Sequence, residues 1–238
     1  MYDAKLVRWN TYDPMAEKYY RINPYADCNG DPVNLVDPEG MNPIYDINGN
    51  LLGTDDLGLK GEPIIMNIDM FKQGMSNAAA MEYNLGLESL EDDISASRLL
   101  YNYVGLRSRP DWDGYLTLTE ANEWYRHGQG RTLFVDINKI DLGYFFNERP
   151  EGSLFLRNLI IHSGSVNDAI VYGTITLTSI SNNRVSSNAD IYNFDIKPVN
   201  SLQILLRDIS TIIGAVIAGP GCPYTINVYG TKIIRNAL

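Results

Sequence analysis

The sequence predicts an α+β fold: a helical middle module, then a β-rich C-terminal domain in which a curved sheet or small barrel packs on one amphipathic helix. Hydrophobic residues make up 45% of the 238-residue chain, enough to bury a core. Between residues 70 and 104, apolar residues recur at the spacing of helices. From residue 131 onward, short apolar and alternating runs typical of strands replace that spacing.

We divide the chain into a linker at residues 1–43, a helical module at 44–130 and a C-terminal domain at 131–238. Turn-forming pairs such as Asn23-Pro24 and Asp37-Pro38 fill the first segment, so it would bury little on its own. Charge is also distributed unevenly along the chain. Residues 148–238 hold 7 Lys/Arg and 6 Asp/Glu, whereas residues 1–147 carry a net charge of -11. This asymmetry indicates different roles for the two halves.

The predicted elements of the middle module begin with a β-hairpin at residues 45–52, because Asn48-Gly49 supplies the positive φ of a tight turn. Helices are expected at about 70–85 and about 90–104. In the C-terminal domain, strands are expected at 132–137, 154–161, 170–178 and 224–229. A turn at Asn182-Asn183 and an amphipathic helix at 202–218, ended by Gly219, complete the order.

A segment near residue 111 has part of the pattern of an EF-hand loop. Asp111 and Asp113 alternate, Gly114 permits a sharp turn, and Glu120 stands at the start of a predicted helix. Arg109 occupies the first ligand position, where a cation is incompatible with bound calcium. We therefore predict a metal-free helix–loop–helix, with Ca²⁺ at Asp111, Asp113 and Glu120 as the alternative.

Several classes of protein are disfavoured by composition. The formal charge of -10 argues against nucleic-acid binding, which needs a concentrated basic surface. The two cysteines, Cys28 and Cys222, have no metal-binding spacing and are taken as free thiols. The N-terminus lacks the pattern of a signal peptide, and no apolar run is long enough to span a bilayer. If the protein acts outside its producer, another component must carry it.

The N-terminal 43 residues contain spaced motifs that agree with one another. Tyr2-Asp3, Tyr12-Asp13-Pro14, Asn23-Pro24-Tyr25 and the segment from Pro32 to Gly40 follow in order. Together they resemble the end of the Rhs/YD-repeat core. The resemblance implies that the chain beyond is a variable toxin tail packaged in a β-shell, released by a secretion apparatus and neutralised in its producer by a cognate immunity protein.

A second set of motifs lies in the last 70 to 100 residues. It comprises the segment 172–177, Asp190-Ile191-Tyr192-Asn193-Phe194, and the segments 209–215 and 221–230. These resemble the activity domain of colicin M and related bacteriocins. The resemblance implies a secreted, Mg²⁺-dependent phosphodiesterase that acts in the periplasm of a target bacterium. There it hydrolyses the undecaprenyl-pyrophosphate linkage of lipid II, a membrane-surface substrate, and blocks peptidoglycan synthesis.

The chemistry of that reaction suits the residues present. A divalent ion held by carboxylates offsets charge on the departing phosphoryl oxygens, and the resemblance assigns this ion to Asp190, with Asp195 as a second ligand. Tyr192 would position the phosphate. The family pattern has an Asp where this chain has Asn193, and a His-Arg pair that is missing here. The residues expected to fill the remaining roles of ligand, base and charge compensation are Asn193, Asp195, Lys197, Arg207 and His162.

These departures leave other functions open. A catalytically inactive relative could bind the lipid-linked precursor or a surface receptor. A toxin enzyme of another class, such as a nuclease, is disfavoured by the acidic composition. A structural or adhesive tail is the third possibility. The motif residues also have purely structural interpretations, in which Asp190 caps a turn, Tyr192 belongs to the core and His162 is a hydrogen-bonded surface side chain.

Overall fold

The computed structural model describes residues 2–3, 8–9, 42–145, 149–181, 183–187, 189–193 and 219–236. The chain forms two compact units, Met1–Glu39 and Gly40–Leu238. In the first unit, β1 (Tyr2–Asp3) pairs antiparallel with β2 (Arg8–Trp9). The turn-rich segment 10–41, Cys28 and the helix predicted at 202–218 lie outside the described residues.

The second unit begins with a three-stranded sheet. Strands β3 (Pro43–Tyr45) and β4 (Leu51–Thr54) form the predicted hairpin, and β5 (Ile64–Ile65) pairs parallel with β3. Asp46 closes the turn by accepting hydrogen bonds from the backbone N–H groups of Asn48 and Asn50. Gly49 has a φ of 76°, as the turn prediction requires.

Three helices follow: α1 (Asn77–Glu82), α2 (Asp93–Gly105) and α3 (Leu118–His127). The second helix confirms the prediction near 90–104, and Asp92 caps its first turn. The helix predicted at 70–85 is wrong over its first half. Gly74 adopts a φ of 81°, and the Ser76 hydroxyl accepts a hydrogen bond from the Ala79 N–H, so the helix begins only after these residues.

The remaining elements are mostly strands. They are β6 (Leu133–Asp136), β7 (Tyr144–Phe145), β8 (Leu154–Asn158), α4 (Leu159–His162), α5 (Val166–Tyr172), β9 (Thr174–Ile180), β10 (Arg184–Ser187), β11 (Asp190–Tyr192), β12 (Tyr224–Tyr229), β13 (Lys232–Ile233) and β14 (Arg235–Asn236). The strands predicted at 154–161 and 170–178 are each partly helical. Asn158 caps α4, and Gly173, with a φ of 55°, separates α5 from β9.

The sheets of the C-terminal part are small and open. One is antiparallel in the order β13-β10-β9-β8. A second has the order β11-β12-β6, in which β12 pairs antiparallel with β11 and parallel with β6. A short parallel pair joins β14 to β7. The predicted α+β class is confirmed, and none of the sheets within the described ranges closes into a barrel.

The largest hydrophobic cluster draws side chains from both sides of residue 130. Leu116 and Ala121 precede that position, and they pack with residues of β6, β9 and β12, including Leu133, Leu177 and Ile226. Residues 44–130 and 131–238 therefore contribute to one shared core. This core holds β11 and β12 against α3.

Candidate functional site

Strand β11 positions the two leading residues of the predicted site on one face of its sheet. Asp190 pairs with Ile226 and Tyr192 with Tyr224 across the antiparallel ladder to β12. Because side chains alternate along a strand, Asp190 and Tyr192 share a face and Ile191 takes the other. Tyr192 is buried and Ile191 is 59% exposed, so the shared face is the one turned to the core.

The Asp190 carboxylate is half-buried at the first residue of β11. Its Oδ1 accepts a 2.8 Å hydrogen bond from the Ile191 N–H. Burial raises the pKa of Asp190 to about 6, and the hydrogen bond from Ile191 lowers it only in part. No salt bridge within the described ranges involves this residue. A desolvated carboxylate of this kind gains stability from a bound cation and marks a candidate functional position.

Tyr192 occupies a core position. Its hydroxyl donates a 2.7 Å hydrogen bond to Asn122 Oδ1 in α3, and its ring stacks on Tyr224 with centroids 5.2 Å apart. Burial raises the pKa of the Tyr192 hydroxyl well above its usual value, so the phenol stays neutral. The structure thus directs this hydroxyl to an amide of the core. A phosphate contact for Tyr192 stays a prediction.

The other predicted site residues fall into two groups. Asn193 follows β11 directly and is exposed, so its amide is accessible next to the strand that carries Asp190. Asp195, Lys197 and Arg207 lie outside the described residues. Their predicted roles as second metal ligand and as cations near the phosphate stay predictions.

His162 lies at the end of α4, on the wall of a cavity of about 550 Å³. Burial and the positive charge of Arg157 lower the pKa of its imidazole, so His162 is neutral near pH 7. None of the described residues of β11 lines this cavity. The structure therefore places His162 in a cavity of its own, without the predicted partners Asp190, Tyr192 and Asn193.

The EF-hand-like residues have protein partners. The buried Asp111 carboxylate accepts hydrogen bonds of 2.9 and 2.7 Å from Arg109 and one of 2.8 Å from the Phe134 N–H. Glu120 Oε2 accepts from the Thr117 N–H and hydroxyl in a capping box that starts α3. The Asp113 carboxylate accepts from the Tyr115 N–H. Arg109 thus supplies the positive charge at Asp111.

Metal-ligating clusters are absent from the part of the chain that the structure describes, where no three His, Cys, Asp or Glu side chains converge. Residues 194–218, which include Asp195, are outside that part. Cys222 is a free, exposed thiol, as predicted for it. Among the described helices, none combines the length and apolar character that crossing a bilayer requires.

Three residues that the sequence did not single out shape these sites. Asn122 binds the Tyr192 hydroxyl, while Asp141 and Lys232 line the cavity with His162. Asp141 followed by Gly143 is a local turn signal, and its Oδ1 does accept a 3.0 Å hydrogen bond from the Gly143 N–H. Asn122 and Lys232 carry no local signal, because their partners are distant in sequence.

Comparison with known proteins gives similarity to solved structures only. No protein-family model and no curated protein matches the chain. PaeM, a colicin M-like bacteriocin produced by Pseudomonas aeruginosa, is 16% identical, with a TM-score of 0.30 over 48% of this chain and 48% of that one. Truncated syringacin M from Pseudomonas syringae pv. tomato is 15% identical, with a TM-score of 0.30 over 59% and 73%.

A third similar structure, that of pectocin M2, is 18% identical, with a TM-score of 0.29 over 62% of each chain. TM-scores near 0.3 do not establish a common fold. The chain also spans about half the length of PaeM.

Proposed function

We propose that the C-terminal part of this chain is a bacterial toxin enzyme that hydrolyses the undecaprenyl-pyrophosphate linkage of lipid II. One observation carries the proposal. Asp190 opens the Asp-x-Tyr-Asn motif that resembles colicin M, and its carboxylate is half-buried, has its pKa raised to about 6 and forms no salt bridge with a described residue. Binding of a divalent cation would stabilise this carboxylate.

The residues of β11 fit a magnesium site in part. Carboxylate and amide oxygens are the ligands that Mg²⁺ prefers, and Asp190 with the exposed Asn193 offers one of each. Asp195 would add a second carboxylate. When bound, the ion would neutralise charge on the pyrophosphate oxygens as the bond to the undecaprenyl oxygen breaks. The hydrogen bond from Tyr192 to Asn122 would hold the strand that carries Asp190, and Lys197 or Arg207 would offset developing negative charge.

The setting of this activity follows from the N-terminal motifs. We infer that residues 1–43 are the end of an Rhs-type core, and that the segment beyond is a secreted effector tail. The substrate named above is assembled at the membrane surface and is exposed in the periplasm, so that is the compartment of action. A producer of such a toxin needs a cognate immunity protein to survive it.

The direct test is incubation of the purified chain with lipid II and Mg²⁺, with release of undecaprenol as the measurement. We expect turnover that EDTA removes and that Asp190→Ala abolishes. Asp69→Ala, a change at an exposed carboxylate in a different part of the chain, is the matched control and should leave turnover unchanged. Full turnover by a folded Asp190→Ala variant would refute the assignment of Asp190.

Expression in a sensitive bacterium tests the compartment. We expect lysis when the chain is directed to the periplasm and growth when it stays in the cytoplasm. The Asp190→Ala variant should be harmless in both. Killing from the cytoplasm alone would favour a toxin of another class, such as a nuclease, which incubation with plasmid and RNA would identify.

An inactive relative is the second candidate, and two observations favour it. Asn193 stands where the family has an Asp and cannot act as a base, and His162 lies in a separate cavity. Such a protein would bind the lipid-linked precursor or a surface receptor without turnover. Binding of lipid II by the wild-type chain, with no undecaprenol released at any Mg²⁺ concentration, would establish this alternative.

A further inference from the structure

The cavity that holds His162 has a feature that the proposed catalytic strand lacks: a concentration of positive charge. Its walls are formed by residues 141–145, 162–164 and 232–234 together with Lys139, and its volume is about 550 Å³. That volume lies within the usual range for small-molecule sites. The cavity is therefore large enough for a phosphorylated metabolite.

The walls of the cavity are fixed by hydrogen bonds. Asp141 Oδ1 accepts a 3.0 Å hydrogen bond from the Gly143 N–H, and Asp141 Oδ2 accepts a 2.7 Å hydrogen bond from the Gly164 N–H. Gly143 has a φ of 66° and lies so close to the His162 carbonyl oxygen that any Cβ would overlap it. The two loops that carry these residues are thereby joined, and the cavity between them is preorganised for a ligand.

The charge around the cavity is mainly positive. Lys139 and Lys232 line it, and the Arg157 guanidinium lies next to Gly143, one of the wall residues. Arg157 is only 7% exposed; its Nε donates to the Leu142 carbonyl at 2.8 Å and its Nη2 to the Tyr144 carbonyl at 2.6 Å. Within the described ranges it forms no salt bridge, so its charge has no carboxylate at contact distance.

Acidic groups do not cancel this charge. Asp141 is the one carboxylate among the described wall residues, against two lysines on the wall and the buried arginine next to Gly143. In a chain with a net charge of -10, this local surplus is the reverse of the overall balance. The two carbonyls and the Phe145 ring, 4.2 Å from Arg157 Cζ, stabilise the buried guanidinium but carry no net negative charge, so its positive charge still acts on the cavity. The surplus indicates an anionic ligand.

The donors available favour a phosphate over other anions. Each lysine ammonium carries three N–H donors; the Asp113 carbonyl takes one from Lys139, and the Asn138 and Ile140 carbonyls take two from Lys232. The charge of Lys232 and the remaining donors of Lys139 are what a ligand would meet. The Ser163 hydroxyl and the neutral His162 imidazole add neutral polar groups at the same wall. Lysines are common point-charge ligands of phosphates, and a phosphate has enough oxygens to engage several such groups together.

We propose that the cavity lined by Lys139, His162 and Lys232 binds the phosphate group of a small phosphorylated ligand. The proposal is independent of the lipid II activity, because none of the described residues of β11 lines the cavity. The shared chemistry of the ligand is a phosphomonoester, whether it belongs to a soluble metabolite or to a phospholipid headgroup.

Histidine NMR provides a direct measurement, because the chain has two histidines and His127 is exposed on α3 as an internal reference. The full chain is titrated with inorganic phosphate in EDTA at constant ionic strength, with His162→Gln used to assign the signals. We expect saturable shifts of His162 and a rise in its pKa when the anion binds, since a nearby negative charge favours the imidazolium. His127 should respond only weakly.

Variants distinguish specific binding in the cavity from general electrostatic attraction of phosphate to the chain. Lys139→Gln should weaken phosphate binding by about tenfold, the usual loss for one charge-assisted contact. Lys72→Gln, which removes one exposed charge outside the cavity, should leave binding unchanged. Asp190→Asn should also bind phosphate normally, which keeps this result distinct from the outcome of the lipid II assay.

Titration with two further ligands identifies the source of the phosphate group. Glucose 6-phosphate stands for soluble phosphomonoesters, and vesicles containing phosphatidic acid stand for headgroups. Tighter binding of either than of inorganic phosphate assigns the class of ligand. Equal shifts of His127 and His162, an unresponsive His162 at millimolar phosphate, or undiminished binding by a folded Lys139→Gln variant would each overturn the proposal.

Discussion

The Tyr192 hydroxyl donates a 2.7 Å hydrogen bond to Asn122 Oδ1, and this bond joins β11 to α3 across 70 residues of sequence. Both side chains are buried. Tyr192 therefore stabilises the strand on which Asp190 lies two residues earlier. The position of the proposed metal ligand depends in part on a core hydrogen bond between segments that are distant in sequence.

Tyr192→Phe should lower the free energy of unfolding by about 1–3 kcal/mol, because the change leaves the buried Asn122 amide without its donor. Chemical denaturation measures the change. Tyr101→Phe removes a hydroxyl from a side chain that is 81% exposed and should change stability by less than about 0.5 kcal/mol. Equal effects of the two substitutions would show that the hydrogen bond contributes nothing to stability.

Local signals in the sequence predicted the elements that depend on neighbouring residues. Asn48-Gly49 indicated the first hairpin, and the apolar spacing before Gly105 indicated α2. The strand at 224–229 was predicted at its observed bounds. In each case the signal lies within the element or its turn, even where the contacts are distant, as in the pairing of β12 with β6 and β11.

The predictions failed where a cap or a glycine divides an apolar run. Residues 154–161 are mostly apolar, but the run contains Asn158, whose side chain accepts a hydrogen bond from the Ile161 N–H and starts α4. Gly173 similarly ends α5 before β9. A short apolar run is compatible with either a strand or a helix, and a cap decides between them only once the tertiary contacts are formed.

The candidate site was predicted from motif residues alone, and those residues could not reveal its tertiary partners. Asn122, which accepts the Tyr192 hydrogen bond, and Lys232, which lines the cavity with His162, lie in segments that the motif residues do not point to. Arg109 is instructive in a different way. The sequence showed that its cation is incompatible with calcium, while the structure shows that it binds the very carboxylate that would have been a ligand.

Asp190→Asn should stabilise the fold in a pH-dependent way. Burial raises the pKa of Asp190 to about 6 in the folded chain, above its ordinary value of 3.8. Between these values the folded state binds more protons, so the stability of the wild type falls as pH rises from about 4 to about 6. Above that range the variant should be more stable by at most about 3 kcal/mol.

Unfolding measured from roughly one pH unit below the ordinary pKa of 3.8 to roughly one unit above the raised pKa of about 6 tests this. The exposed Asp69→Asn is the control and should follow the wild type. Saturating Mg²⁺ should reduce the difference between wild type and Asp190→Asn if the carboxylate binds the ion. A pH profile that is the same for all three proteins would contradict the raised pKa.

Calcium should not bind at the loop that contains Asp111, Asp113 and Glu120. Both Asp111 carboxylate oxygens accept hydrogen bonds from Arg109, and Glu120 Oε2 accepts one from the Thr117 hydroxyl. A calcium ion would have to displace these hydrogen bonds. Isothermal titration of the Asp190→Asn variant at millimolar calcium should give no heat, and its melting temperature should not move. Heat that disappears in Asp113→Asn would instead show that the loop binds the ion and rearranges to do so.

Gly143→Ala should be more destabilising than Gly152→Ala, although both glycines have positive φ, 66° and 77°. Gly152 has no atom within 4 Å of a would-be Cβ, so its substitution carries only the strain of the left-handed conformation, about 1 kcal/mol. At Gly143 the methyl group would also overlap the His162 carbonyl oxygen and separate the two loops around the cavity. Denaturation of both variants measures the difference, and histidine NMR should show a displaced His162 signal in Gly143→Ala alone. Equal destabilisation with an unchanged His162 signal would mean that the two loops do not depend on this close approach.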